Sequence, residues 1–307
     1  MLEQLNEQVL SDGAHFEQSP MYQCVLLDRL LDCVNFTGNA SGEGRINIYN
    51  VKKMDGKLRN YAERMLGHLK AIVWNDNSIP LLNDSANGIA PSPQMLFDYA
   101  YRLGLTWKEI PMSKCGYRKM QSERMEAIVD VGNITATYQP GHSHADTLNY
   151  ELRIDGKPFV VDTGTSTYNK NQRRQYERST IAHNCVSPAG KNSSEVWGGF
   201  RIGRRAKANI ISEDVDQIVA AHDGFRKPCR RTFSMKEDAF IVEDEFEGSA
   251  VSYLFLAEGA DITKVQTEGA TKIEIEDVKY STEYNRFRES KVMKIYFKNK
   301  LKYKILV

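Results

Sequence analysis

Apolar residues recur every three or four positions through the first hundred residues, the spacing of one face of a helix. Leu2, Leu5, Val9 and Leu10 repeat in this way up to an Asp12-Gly13 stop. Ser19-Pro20 reads as a helix start, and Val25, Leu26, Leu30, Leu31 and Val34 form the stripe of a helix predicted over 22–36. Met54, Leu58, Tyr61, Met65, Leu69 and Val73 predict a longer helix over 49–74, in which Asp55-Gly56 offers a break. After a polar loop, NDSANGIAPSP, a further helix is predicted over 94–103.

The period changes beyond residue 115. Short runs at 125–131, 148–154 and 159–161 read as strands, with Asp155-Gly156 as the hairpin turn between the last two. Further strands are predicted over 208–211, 217–221, 231–235, 239–243, 251–256, 272–275 and 293–296. Many strands at short spacing, with no helices expected between them, imply an antiparallel sandwich. The fold class is therefore α+β in two domains, helical over 1–108 and an antiparallel β-sandwich over 109–307.

Composition narrows the function classes. The 41 Lys+Arg against 40 Asp+Glu leave a formal net charge of +1, which argues against a dedicated nucleic-acid binder. No run approaches the ~18 apolar residues of a membrane span, and MLEQLNEQVLSDG lacks the basic and apolar regions of a secretory signal. Cys24, Cys33, Cys115, Cys185 and Cys229 form no C-x-x-C pair and fit scattered reduced thiols. Two basic runs, Arg201, Arg204, Arg205 and Lys207, then Arg226, Lys227, Arg230 and Arg231, read as solvated strand faces or as a wall for an anionic polymer.

Residue types that carry chemistry gather in PGHSHADTLNYELRIDGKPFVVDTG, residues 140–164. His142 and His144 are two apart, Asp162 returns beside them on the predicted hairpin, and His183 follows in ERSTIAHNC. Two or three histidines with an aspartate suit zinc or a similar divalent ion, although a single histidine in a sandwich is more often a hydrogen-bonded core or surface residue. Upstream, His15, Glu17, Ser19 and Tyr22 crowd a helix entrance, where Tyr22 is either a packing residue or a proton-transfer group. The loop LLNDSANGIAPSP, with Asn83 and Asp84, is either a solvated connection or a hydrogen-bonding rim for a sugar.

The runs GHSHADTLNYELRIDGKPFVVDTG…Y…ERSTIAHNCV and DGAHFEQSPMYQ resemble the heparinase II/III family of polysaccharide lyases. The resemblance implies the last part of an (α/α) toroid followed by the family's β-sandwich. It also implies β-elimination on a uronic-acid-containing acidic polysaccharide, in which the C5 proton is removed and the bond to O4 breaks. Carried over by position, Tyr22 and His142 would be the proton-transfer pair. His144, Asp162 and His183 would match a structural metal site, with zinc the expected ion. Glu17, Asn83, Asp84, Tyr168, Arg174 and Arg178 are the expected substrate-binding residues.

Family members have a long stretch of toroid before the S-P-x-Y segment, whereas here S-P-M-Y begins at residue 19. The chain is therefore expected to be either a fragment or a short form, with apolar helix edges exposed and self-association a consequence. Relatives are commonly exported, but location is not read from this chain. Two other readings stay open: a carbohydrate-binding or scaffold protein of the same fold without catalysis, and a metal-dependent glycan hydrolase built on the histidine cluster.

Overall fold

A computed structural model describes residues 1–40, 48–134 and 136–307. The helical part comprises α1 (Leu2–Gln8), α2 (Pro20–Gly38), α3 (Ile48–Ile72) and α4 (Pro93–Arg102). Ser19 caps α2, its hydroxyl accepting from the Tyr22 N–H at 3.2 Å, with Pro20 in the first turn. Ser92 and Pro93 start α4 in the same way. The predicted break in α3 does not occur: Gly56 has open space around it and the helix runs through. Met21, Leu27, Leu31, Leu58, Met65 and Leu69 form the buried seam of this part. Phe36, Met95 and Tyr101 stand exposed on its outside.

From Tyr117 the chain is antiparallel sheet. The strands are β1 (Tyr117–Gln121), β2 (Met125–Asp130), β3 (Tyr150–Ile154), β4 (Lys157–Val160), β5 (Val186–Ser187), β6 (Val196–Trp197), β7 (Arg201–Ile202), β8 (Ala208–Glu213), β9 (Gln217–His222), β10 (Cys229–Met235), β11 (Ala239–Leu256), β12 (Val265–Glu283) and β13 (Arg286–Leu306). The main path runs β1-β2-β3-β4-β11-β10-β9-β8, with β13 on β11 and β12 on β13. Asp155 and Gly156 both take positive φ (51° and 73°), the two-residue hairpin that the sequence predicts between β3 and β4.

β11 joins the layers. The sequence reads it as two strands because a bulge between Phe246 and Ser249 interrupts its register on β13. Before the bulge β11 pairs with β10, and after it with β5 and β4. Ala127, Val129 and Leu152 from one layer meet Phe233, Phe240 and Ile295 from the other in a single core. The expectation of no helix among the strands fails at α5 (Gln172–Glu177), which is capped by the Asn171 side chain, interrupts the sheet and carries Arg174.

Most of the second basic run is paired. Arg231 is buried against Asp244, Lys227 meets Glu247 at 2.8 Å, and Arg230 lies 3.8 Å from Glu245. Arg205 donates to the Thr137 carbonyl at 2.7 Å. All five cysteines are free thiols. Among the described residues no helix is long and apolar enough to cross a membrane.

Candidate active site

The site forms where the helical part meets the sheet. Ser19 sets the first turn of α2, placing the Tyr22 side chain at the junction, and also donates to the Asp84 carbonyl at 2.7 Å. Across the junction, the Asp84 N–H donates to the His142 carbonyl and the His144 N–H donates to Asn83 Oδ1, both at 3.0 Å. The polar loop of the helical part thus grips the backbone of the H-x-H segment. Asn83 and Gln18 both take left-handed φ (55° and 57°), and the Asn83 amide donates to the Gln18 carbonyl at 3.1 Å.

Tyr22 and His142 stack, with ring centres 3.9 Å apart and planes 19° from parallel. The Tyr22 hydroxyl lies 3.2 Å from that of Tyr168. His142 Nδ1 bonds to Glu17 Oε2. A carboxylate can only accept, so the ring carries its proton on Nδ1 in the neutral form and keeps a lone pair on Nε2. Burial, reinforced by the charges of Asp84 and Glu17, pushes the Tyr22 phenol up, against the lowering effect of the Tyr168 hydroxyl and Arg174. Tyr168 is pushed far up, mainly by burial.

Beneath these rings lies a buried charge pair. Arg174 donates to both carboxylate oxygens of Asp84, with the contact to Oδ2 at 2.6 Å. Its guanidinium sits 4.9 Å from the ring centre of Tyr168 and 5.4 Å from that of Phe200. Burial disfavours the charge on Asp84, but His144 and Arg174 outweigh it and hold the carboxyl well below the usual range. Arg178 donates to the Ser143 carbonyl at 2.9 Å, bracing the residue between the two histidines.

These contacts correct four of the sequence expectations. Asn83, Asp84, Arg174 and Arg178 are buried and engaged with protein groups, so they do not offer their side chains to a sugar. They assemble the site from behind. Glu17 is also nearly enclosed, and its partner is His142 rather than solvent. Tyr168 is the one of the six that lies on the Tyr22 and His142 rings.

A second cluster lies deeper. His144, Asp146 and His183 each offer a ligand atom within 4.8 Å of the others, and all three are buried. His144 Nδ1, Asp146 Oδ2 and His183 Nε2 are buried polar atoms without a hydrogen-bond partner, which is what a cation site looks like before its ion is considered. Asp162 sits one layer out: its Oδ2 accepts from His183 Nδ1 at 2.7 Å and from the Asn149 amide at 2.6 Å. That is the carboxylate-behind-histidine arrangement that orients a metal ligand. Burial and the neighbouring Asp162 push Asp146 up to about 6, against the pull of His183. Two nitrogens and a carboxylate therefore fit zinc or a similar divalent ion, with Asp146 on the first layer and Asp162 behind it.

Asp146 stands two residues beyond His144 and was within reach of a spacing argument. Phe200 and Tyr284, which also touch the ring cluster, carry no local signal.

Comparison with known proteins follows the same line. Residues 106–253 match the profile of the family described as heparinase II/III-like, C-terminal. This stretch resembles a heparinase II/III-like C-terminal domain. It contains His142, His144, Asp146, Asp162, Tyr168 and His183, whereas Glu17 and Tyr22 lie ahead of it. The chain is also similar in structure to the heparinase III BT4657 gene product (TM-score 0.73, 16% identity), which it matches over 99% of its own length and 54% of that chain. It is similar to the heparan sulfate lyase HepC from Pedobacter heparinus as well (TM-score 0.68, 17% identity), over 99% of this chain and 55% of the other. The fold of this chain is thus that of the heparinase III structures, and the chain spans about half their length. No curated protein matches it in sequence.

Proposed function

We propose that the chain carries the proton-transfer centre of a polysaccharide lyase that cleaves an acidic, uronic-acid-containing glycan by β-elimination. The stacked Tyr22–His142 pair supports this reading most strongly. It sets an imidazole with a free Nε2 against a phenol, at a junction between two folding units.

Elimination needs one group to take the C5 proton and another to give a proton to the departing O4. His142 suits the first task, because Glu17 occupies Nδ1 and leaves Nε2 to accept. Tyr22 suits the second, because its raised affinity for the proton keeps the phenol protonated until O4 develops charge. As the C5–H bond breaks, its electrons form the C4–C5 double bond and the C4–O4 bond electrons leave with O4. The Tyr22 proton then neutralises that oxygen. Proton exchange with water restores the phenol and the free imidazole.

The proposal includes a divalent ion, zinc by the donor set, held by His144, Asp146 and His183. When bound it would supply fixed positive charge that braces the H-x-H segment against the segment bearing His183. The residues of this chain carry the protons. A Tyr22→Phe variant is expected to lose product formation while keeping its melting temperature and its affinity for glycan. Unchanged turnover in Tyr22→Phe would refute the assignment. A saturated product, in place of a conjugated one, would favour the hydrolase reading.

A further inference from the structure

The hairpin of β12 and β13 lies beyond the matched residues 106–253, yet its tip reaches the Tyr22 cluster. Three backbone bonds fasten the tip. Ser281 N–H donates to the Thr163 carbonyl at 2.8 Å, Asn285 N–H to the Ser166 carbonyl at 3.0 Å, and Asn87 N–H to the Thr282 carbonyl at 2.8 Å. The first two tie it to the segment after Asp162, and the third to the polar loop of the helical part. Gly164 makes the approach feasible: its φ is +67°, and a Cβ there would meet the Ser281 carbonyl oxygen at 2.0 Å.

Tyr284 projects from this tip. Its ring packs edge-on against Tyr168, with centres 5.3 Å apart and planes at 64°, and also rests on the apolar core of the helical part. Its hydroxyl is shielded from water and lies beside the Tyr168 hydroxyl without closing a well-formed hydrogen bond to it. A buried hydroxyl left short of a full hydrogen bond is costly to keep, so its position against Tyr168, the partner of Tyr22, calls for an explanation.

We infer that Tyr284 is a positioning residue of the proton-transfer centre, delivered from outside the matched domain. It holds the Tyr168 phenol on the Tyr22 hydroxyl and backs Tyr168 once Tyr22 has released its proton. The inference rests on the proposed function for Tyr22. When Tyr22 gives its proton to O4, a phenolate forms beside the Tyr168 hydroxyl, which can donate to it. The Tyr284 hydroxyl is then placed to donate to Tyr168 in turn. Beyond the proton that Tyr22 gives to O4, none is transferred: each remaining hydroxyl shifts its hydrogen bond toward Tyr22, and the arrangement relaxes when Tyr22 is reprotonated.

The groups facing Tyr22 are few enough to make this testable. They are Glu17 and Asp84 from the helical loops, His142 from the H-x-H segment, Tyr168 and Arg174 from the segment that follows, and Tyr284 from the hairpin tip. The test uses Tyr284→Phe, which keeps the ring and removes only the hydroxyl, beside Tyr284→Ala. Turnover on the glycan that gives conjugated product is followed against pH. The expected result for Tyr284→Phe is about a tenfold fall in kcat with KM within twofold, and an alkaline limb moved to higher pH. Tyr284→Ala should do the same and also raise KM.

A second readout needs no substrate. Ultraviolet titration of phenol ionisation, taken as the difference between the parent chain and Tyr22→Phe, isolates the Tyr22 step, which should move to higher pH in Tyr284→Phe. An unmoved Tyr22 step, or an unchanged kcat and pH limb, would overturn the inference. If no glycan gives product, the lyase reading fails. A moved Tyr22 step would then still support the positioning of Tyr22 by Tyr284, and an unmoved one would overturn it.

Discussion

Removing one member of the Asp84–Arg174 pair should be among the most damaging single changes available in this chain. Both side chains are fully buried, and Asp84 Oδ1 also accepts from His144 Nε2 at 2.8 Å and from the Thr165 hydroxyl at 3.0 Å. Asp84→Ala leaves a guanidinium without counter-charge beneath the Tyr168 and Phe200 rings, and strands the other two donors. Breaking a buried pair from one side costs about 3–5 kcal/mol. Arg174→Met should cost somewhat less, because Asp84 keeps His144 and Thr165. The double variant removes both charges and leaves only the two neutral donors unsatisfied, about 1–3 kcal/mol each. It should therefore be more stable than Asp84→Ala alone, with a coupling of at least about 2 kcal/mol between the sites. Urea unfolding at neutral pH, followed by circular dichroism and tryptophan fluorescence together, measures this. Single variants costing under about 1 kcal/mol, or a double variant whose cost equals the sum of the singles, would refute the reading of the pair as a mutually dependent buried unit.

Glu17→Gln should keep the fold but lower turnover by roughly 10–100-fold, because an amide no longer dictates which ring nitrogen of His142 carries the proton; kcat with an unchanged melting curve checks it. Metal analysis of the purified chain should find about one equivalent of a divalent ion, lost in Asp146→Asn and by chelation, with a lower melting temperature in both cases. Acid should destabilise the chain through His68, which burial pushes down to about 4. The unfolded chain binds that proton near pH 6.5 and the folded one only near 4. Stability is therefore full above about 6.5 and falls by up to about 3 kcal/mol as pH drops through that window. The gap between urea midpoints at pH 7 and 4.5 should narrow in His68→Gln without closing, because burial also lowers His15, His144 and His222 to about 4.

Much of the helical part is legible in sequence because its apolar stripes are long and its starts are chemically marked, as at Ser19-Pro20 and Ser92-Pro93. The sheet is legible where strands alternate and turns are explicit, as at Asp155-Gly156. It is less so at β12, whose mostly solvated face carries Glu, Lys and Thr and hides a 19-residue strand behind four recognisable positions, 272–275. In the site, the H-x-H segment and Tyr22 stand out through residue type and spacing. The roles of Asp84 and Arg174 do not. A charged residue in a loop looks solvated until its partner, 90 positions away, is placed beside it. Tyr284 is further removed still, since only the docking of the hairpin tip on Gly164 and Asn87 brings it to Tyr168.

The central claim is that Tyr22 and His142 form an eliminating centre, and product absorbance tests it most directly. The chain would be incubated with a panel of uronic-acid-containing glycans, including heparan-type, chondroitin-type, alginate-type and bacterial exopolysaccharides, while ultraviolet absorbance is followed for a conjugated C4–C5 double bond. The account predicts a rise on at least one glycan that is abolished in Tyr22→Phe and in His142→Ala. New reducing ends without that absorbance, or a rise that persists in both variants, would contradict it.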